Sequence, residues 1–155
     1  MKGEIQVAVV MGSESDRETM QACVEELGRL HIACELRVSS AHRQPKATVE
    51  YVEEALARGV QVFVAGAGMA AALPGYIASL TTRPVIGVPL ASGLPGGIDA
   101  LYAIAQMPPG VPVATVAVGA PGARNAAILA AEILALSDDR IAEALQEMRN
   151  RWHRS

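Results

Sequence analysis

A chain of 155 residues, 51% hydrophobic but only 3% aromatic, is long enough for one domain with a real core, filled by Ala and Val more than by rings. With 13 basic and 16 acidic residues the net charge is −3, and no basic run interleaves with aromatics; nucleic acid is thereby excluded as the main partner. No apolar run is long enough to span a bilayer, and Met1-Lys2-Gly3-Glu4 lacks the apolar region of a signal peptide. Cys23 and Cys34 show neither CxxC nor disulfide-style spacing, so we expect a cytoplasmic protein with two buried, reduced thiols. So much apolar content in so short a chain further predicts burial between subunits of a homo-oligomer.

The first apolar run, Ile5 to Val10, reads as a buried parallel strand. Met11-Gly12-Ser13-Glu14-Ser15-Asp16 follows it and opens a helix over 14–30, with Met20, Val24, Leu27 and Leu30 at helical spacing. Ile32 to Val38 is a second strand, and Ser39-Ser40-Ala41-His42-Arg43-Gln44-Pro45 leads from it into a helix over 45–58 with Val49, Val52 and Leu56. Pro45 suits the first turn. Val60 to Val64 is a third strand, Ala65 to Gly75 a third Gly-rich loop, and 73–81 a third helix, closed by Thr81-Thr82-Arg83-Pro84. A fourth strand spans 85–88, followed by the loop Pro89 to Gly97, in which Gly96-Gly97-Ile98-Asp99 reads as a turn and helix cap, and then by a helix through Ile104. The prolines of 106–112 force a loop. Val113 to Val118 is a fifth strand, and an Ala-rich helix ends near Leu136. Ser137-Asp138-Asp139 is an N-cap cluster for a final helix over 138–153, striped by Ile141, Leu145, Met148 and Trp152; Arg149, Arg151, His153 and Arg154 end it, where cations suit the helix dipole.

Alternating strands and helices imply a parallel sheet with right-handed crossovers and helices on both faces. The fold class is α/β: a single-domain, flavodoxin-like three-layer sandwich over 1–155, with an extra C-terminal packing helix. In such sheets ligands bind at the carboxyl ends of the strands, so the three loops form one pocket. Ser13 and Ser15 stand where a helix begins, a natural anion site; locally, Ser13 and Asp16 also read as a variant capping box. A carboxylate repels phosphate, so Asp16 suits ribose hydroxyls. His42 supplies a group that gives and takes a proton near neutrality, and Arg43 a planar fork for phosphate oxygens. Gly66, Gly68 and the small residues to Ala72 let a ligand reach the backbone. There is no GxGxxG, no GxxxxGK[ST] and no metal-spaced cluster, which leaves cofactor-free proton chemistry on a phosphorylated sugar derivative.

Gly-Ser-Glu-Ser-Asp (12–16), Ser-Ala-His-Arg (40–43), Ala-Gly-Ala-Gly (65–68), Leu-Pro-Gly (73–75), Pro-Val-Ile-Gly-Val-Pro (84–89), Gln-Met-Pro (106–108) and Asn-Ala-Ala-Ile-Leu-Ala (125–130) together resemble the N5-carboxyaminoimidazole ribonucleotide mutase family of purine biosynthesis, over nearly the whole chain. The resemblance implies a flavodoxin-like subunit in a homo-octamer, with no metal or organic cofactor, moving a carboxyl group from the exocyclic nitrogen to C4 of an aminoimidazole ribonucleotide. It implies that Ser13, Ser40 and Arg43 bind the phosphate and Asp16 the ribose, with Gly12, Ser15 and Ala41 also binding substrate. His42 is the implied general acid/base, with Gly68, Met69 and Ala70 holding the carboxyl group by backbone donors and Ala67 and Leu73 also binding substrate. The chain departs from the family pattern at Ala72, where that pattern carries a second histidine. The alternatives are a carboxylase using free CO2 and a non-catalytic nucleotide-binding subunit.

Overall fold

Val7-Ala8-Val9-Val10-Met11 is apolar at every position because both faces of its strand are covered. Alternate residues of a strand point to opposite faces, and here the two sets enter two separate cores. The computed structural model describes residues 4–153. Its elements are β1 (Val7–Met11), α1 (Arg17–Arg29), β2 (Cys34–Val38), α2 (Pro45–Ala57), β3 (Val62–Gly68), α3 (Ala72–Leu80), β4 (Val85–Leu90), α4 (Ile98–Ala105), β5 (Ala114–Thr115), α5 (Ala120–Ala135) and α6 (Asp139–Trp152). The strands are all parallel in the order β2-β1-β3-β4-β5, the doubly wound flavodoxin-like order.

Val7, Val9 and Met11 pack under α1, α5 and α6 with Val62, Val64, Ile86 and Val88. Ala8 and Val10 face α2, α3 and α4 with Phe63 and Ala65. The alanine stripe of α5 (Ala123, Ala126, Ala127, Ala130, Ala131) is fully buried against α1, since small side chains let two helices approach closely. On α6, Ile141, Leu145 and Met148 are buried whereas Trp152 is 62% exposed. The helix lies against α5, where Arg149 reaches Glu132 at 2.7 Å. Residue 154, the last of the basic cluster, and residues 1–3 lie outside the described residues.

Several expectations shift. The strand read as 60–64 runs on to Gly68, so Ala65–Gly68 is strand and the loop shrinks to 69–71. Glycine is poor strand material, which hid it. Here it is required by packing: a Cβ on Gly66 would overlap the Met20 side chain of α1. The fifth strand covers two residues of the six expected, because it is the sheet edge and makes a ladder with β4 alone. The helix expected from residue 14 starts as a 3-10 turn, Glu14–Asp16. On α2 the buried face is Thr48, Tyr51, Val52 and Ala55, one step round from the apolar stripe. Tyr51 fits there because its hydroxyl donates to Glu35 at 2.7 Å, and Arg58 grips the same carboxylate at 2.6 and 2.9 Å. The Arg58 guanidinium holds the Glu35 carboxyl below its ordinary value. Cys23 is buried, and burial pushes its thiol well up; Cys34 is only half-buried, on the β2 edge.

Candidate active site

The register of the sheet creates a step at its carboxyl edge. Met11 is level with Val38 of β2 and with Gly66 of β3, but β3 continues to Gly68, level with Leu90 of β4. The first two strands therefore turn away two residues before the next two, and their loops flank a cleft of about 500 Å³. Gly12, Ser13, Ser15 and Asp16 line it after β1; Ser40, Ala41, His42 and Arg43 after β2; Ala67, Gly68, Met69, Ala70 and Leu73 at and beyond the end of β3. Of the residues singled out from the sequence all but Gly66 meet there; Gly66, expected to let a ligand reach the backbone, is instead buried against Met20 of α1. Ala71, Ala72 and Ser92 join them.

After β1, Ser13 adopts an extended backbone and caps the 3-10 turn: its Oγ accepts from the Ser15 N–H at 3.4 Å and lies 3.0 Å from Ser15 Oγ. Burial pushes the Asp16 carboxyl up, while backbone hydrogen bonding at Ser13 works against it. Two short hydroxyls and a partly buried carboxylate thus stand side by side at a helix start, where free N–H groups favour anions.

After β2, the loop is pinned from beneath. Ser39 donates its N–H to the Met11 carbonyl at 2.8 Å, and its Oγ lies 2.7 Å from buried Thr48 Oγ1. Above that anchor, Ser40 Oγ accepts from the Arg43 N–H at 3.2 Å, and the Ser40 carbonyl from the Gln44 N–H at 2.9 Å. This turn leaves His42 and Arg43 exposed at the cleft.

After β3, the chain turns with two non-glycine residues in the left-handed region, Met69 at φ 55° and Ala71 at φ 41°. Such conformations are costly and cluster at functional sites. The Ala71 N–H donates to the Gly68 carbonyl at 2.9 Å. Ala71 then opens α3 with no side-chain cap, so the N–H groups of Ala72 and Leu73 lack helical acceptors at the positive end of the dipole. Gly68 is needed for close approach: a Cβ there would overlap Ser92 Oγ and stand 3.2 Å from the Leu90 carbonyl.

Sequence reasoning missed Ser92, which sits in a segment read only as loop; its signal was that it follows the strand neighbouring β3. The Gly96-Gly97-Ile98-Asp99 segment does turn into and cap α4, with Gly97 as the N-cap, while Asp99 lies in the first turn of the helix. Its Oδ2 accepts the Leu94 N–H at 3.2 Å and ties the 91–97 loop down. Among the described residues no three His, Cys, Asp or Glu side chains gather as a metal site would need, and no helix is long and apolar enough to cross a membrane.

Comparison with known proteins agrees with this geometry. The family model described as AIR carboxylase matches residues 6–155. An N5-carboxyaminoimidazole ribonucleotide mutase from Haemophilus influenzae is 49% identical, covering 96% of this chain and 91% of that protein. A protein of the same name from Saccharolobus solfataricus is 52% identical over 93% and 92%. The crystal structure of Treponema denticola PurE superposes with a TM-score of 0.86 at 26% identity, covering 96% of this chain and 92% of that one. From matches across almost its entire length, the chain belongs to the AIR carboxylase family.

Proposed function

We propose that this enzyme transfers the carboxyl group of N5-carboxyaminoimidazole ribonucleotide from the exocyclic nitrogen to C4 of the imidazole ring, a step of purine biosynthesis. The observation that carries the reading is that His42 is the one histidine among the residues lining the cleft, the side-chain type used most often as both proton donor and acceptor, and the reaction needs both. The C–N bond of the carbamate breaks, releasing CO2, while His42 protonates the departing nitrogen. C4 then attacks the trapped CO2, and His42 removes the C4 proton, so the proton count closes. Ser13, Ser40 and Arg43 hold the phosphate, with Gly12, Ser15 and Ala41 around it, and Asp16 holds the ribose. The backbone of Ala67, Gly68, Met69 and Ala70, flanked by Leu73, holds the carboxyl group and CO2 in a region poor in side-chain dipoles, where fixed N–H donors act strongly.

Turnover of the carboxylated nucleotide without added bicarbonate tests this. Wild type should isomerise it, and His42→Asn should lower kcat by about 10²–10⁴ while still binding nucleotide. Comparable activity in the two proteins would remove His42 from the chemistry, and binding without turnover in wild type would favour a nucleotide-binding subunit. The family description itself favours a second reading, a carboxylase using free CO2. That reading requires bicarbonate-dependent product formation from the uncarboxylated ribonucleotide. The reading includes a cytoplasmic homo-octamer; the exposed Ile98 and Tyr102 (61% exposed), one turn apart on α4, support burial between copies.

A further inference from the structure

The β3–β4 side of the cleft is almost bare of side-chain chemistry. Of the lining residues there, from Ala67 to Leu73 and in the loop after β4, Ser92 is the one whose side chain carries an O–H or N–H. Its hydroxyl makes no hydrogen bond to any described residue. Ser92 is exposed at the cleft, and its hydroxyl lies close against Gly68. It occupies the space that a side chain on Gly68 would fill. Its neighbour Gly93 is wedged between Asp99 and Met69, so closely that a Cβ would overlap Asp99 Oδ2 and stand 3.2 Å from Met69 Cγ, and Asp99 also accepts the Leu94 N–H.

We propose that the Ser92 hydroxyl is the side-chain donor that hydrogen-bonds the carboxyl group of the bound ribonucleotide, completing the backbone cradle of Gly68 and Met69. The assignment rests on the orientation of substrate given under Proposed function: the phosphate lies toward β1 and β2, so the carboxyl group lies toward β3 and β4. A carboxylate there meets backbone N–H groups and one hydroxyl. Removing that hydroxyl leaves phosphate and ribose contacts untouched, so its loss registers only for ligands that carry the carboxyl group.

Binding of two nucleotides to wild type and Ser92→Ala, measured by calorimetry on the full-length protein, tests this. The probes are the C4-carboxylated aminoimidazole ribonucleotide and its uncarboxylated counterpart. The variant should bind the carboxylated nucleotide about tenfold or more weakly, the loss of one hydrogen bond to a charged group, and the uncarboxylated one within about twofold of wild type. Equal weakening of both, no weakening of either, or a wild type that does not distinguish them overturns the assignment. Isomerisation by wild type with unchanged binding in the variant sinks Ser92 alone. The expected binding difference without any isomerisation sinks the mutase reaction and leaves Ser92 standing.

Discussion

The two sides of the cleft are built on different chemical plans. The β1–β2 side presents side chains: Ser13, Ser15, Asp16, Ser40, His42 and Arg43. The β3–β4 side presents backbone, with Ala67 to Ala72 contributing small or apolar groups and two left-handed turns. A phosphate and a ribose are large and strongly solvated, and long or hydroxylated side chains can replace their water. A carboxyl group that must leave one atom and join another is better served by fixed N–H dipoles, which cost no reorganisation when charge moves. In the proposed orientation of substrate, charge recognition falls to the β1–β2 side, where His42 also stands, and the carboxyl group to the β3–β4 side.

Arg43→Ala should break the contrast most severely. Loss of a charge-assisted contact to phosphate should weaken binding of both carboxylated and uncarboxylated nucleotides, each by about tenfold to a hundredfold, as read by calorimetry. A loss confined to the carboxylated nucleotide would place Arg43 on the wrong side of the cleft.

Gly68→Ala probes the opposite side. Its Cβ would displace the Ser92 hydroxyl and press on the Leu90 carbonyl. Because a hydroxyl can rotate away, the folding cost should fall near the low end for overpacking, about 1 kcal/mol by denaturant titration. Turnover should drop while affinity for the uncarboxylated nucleotide holds. Parallel loss of both would mean that the two sides are not independent.

Ala72→His adds a titratable group to the side that lacks one. If the reaction is the carboxyl shift, turnover should rise several-fold; a fall in rate would mean that the β3–β4 side works because it carries no such group. This is the smallest effect of the three and sharpens the comparison most finely.

Much of the site was legible before any fold was known, since Ser40-Ala41-His42-Arg43 follows an apolar run and Gly12-Ser13 opens a helical pattern. Strand ends followed by small polar residues mark the ligand edge of an α/β sheet. What escaped notice did so for identifiable reasons. Glycine disguised the last turn of β3 as a loop, because strand propensity does not register that Gly66 makes room for Met20. Thr48 and Tyr51 displaced the expected face of α2, because their hydroxyls find partners in Ser39 and Glu35.

The sequence by itself determined the layer order, the three loops and the chemical character of His42, Arg43 and Asp16, because periodicity and residue chemistry are local. Only the tertiary structure decided that β3 and β4 overhang β1 by two residues, that Met69 and Ala71 turn left-handed, and that Ser92 stands against Gly68. Those depend on strand register and on close approach between segments distant in the chain, which no single stretch of residues encodes.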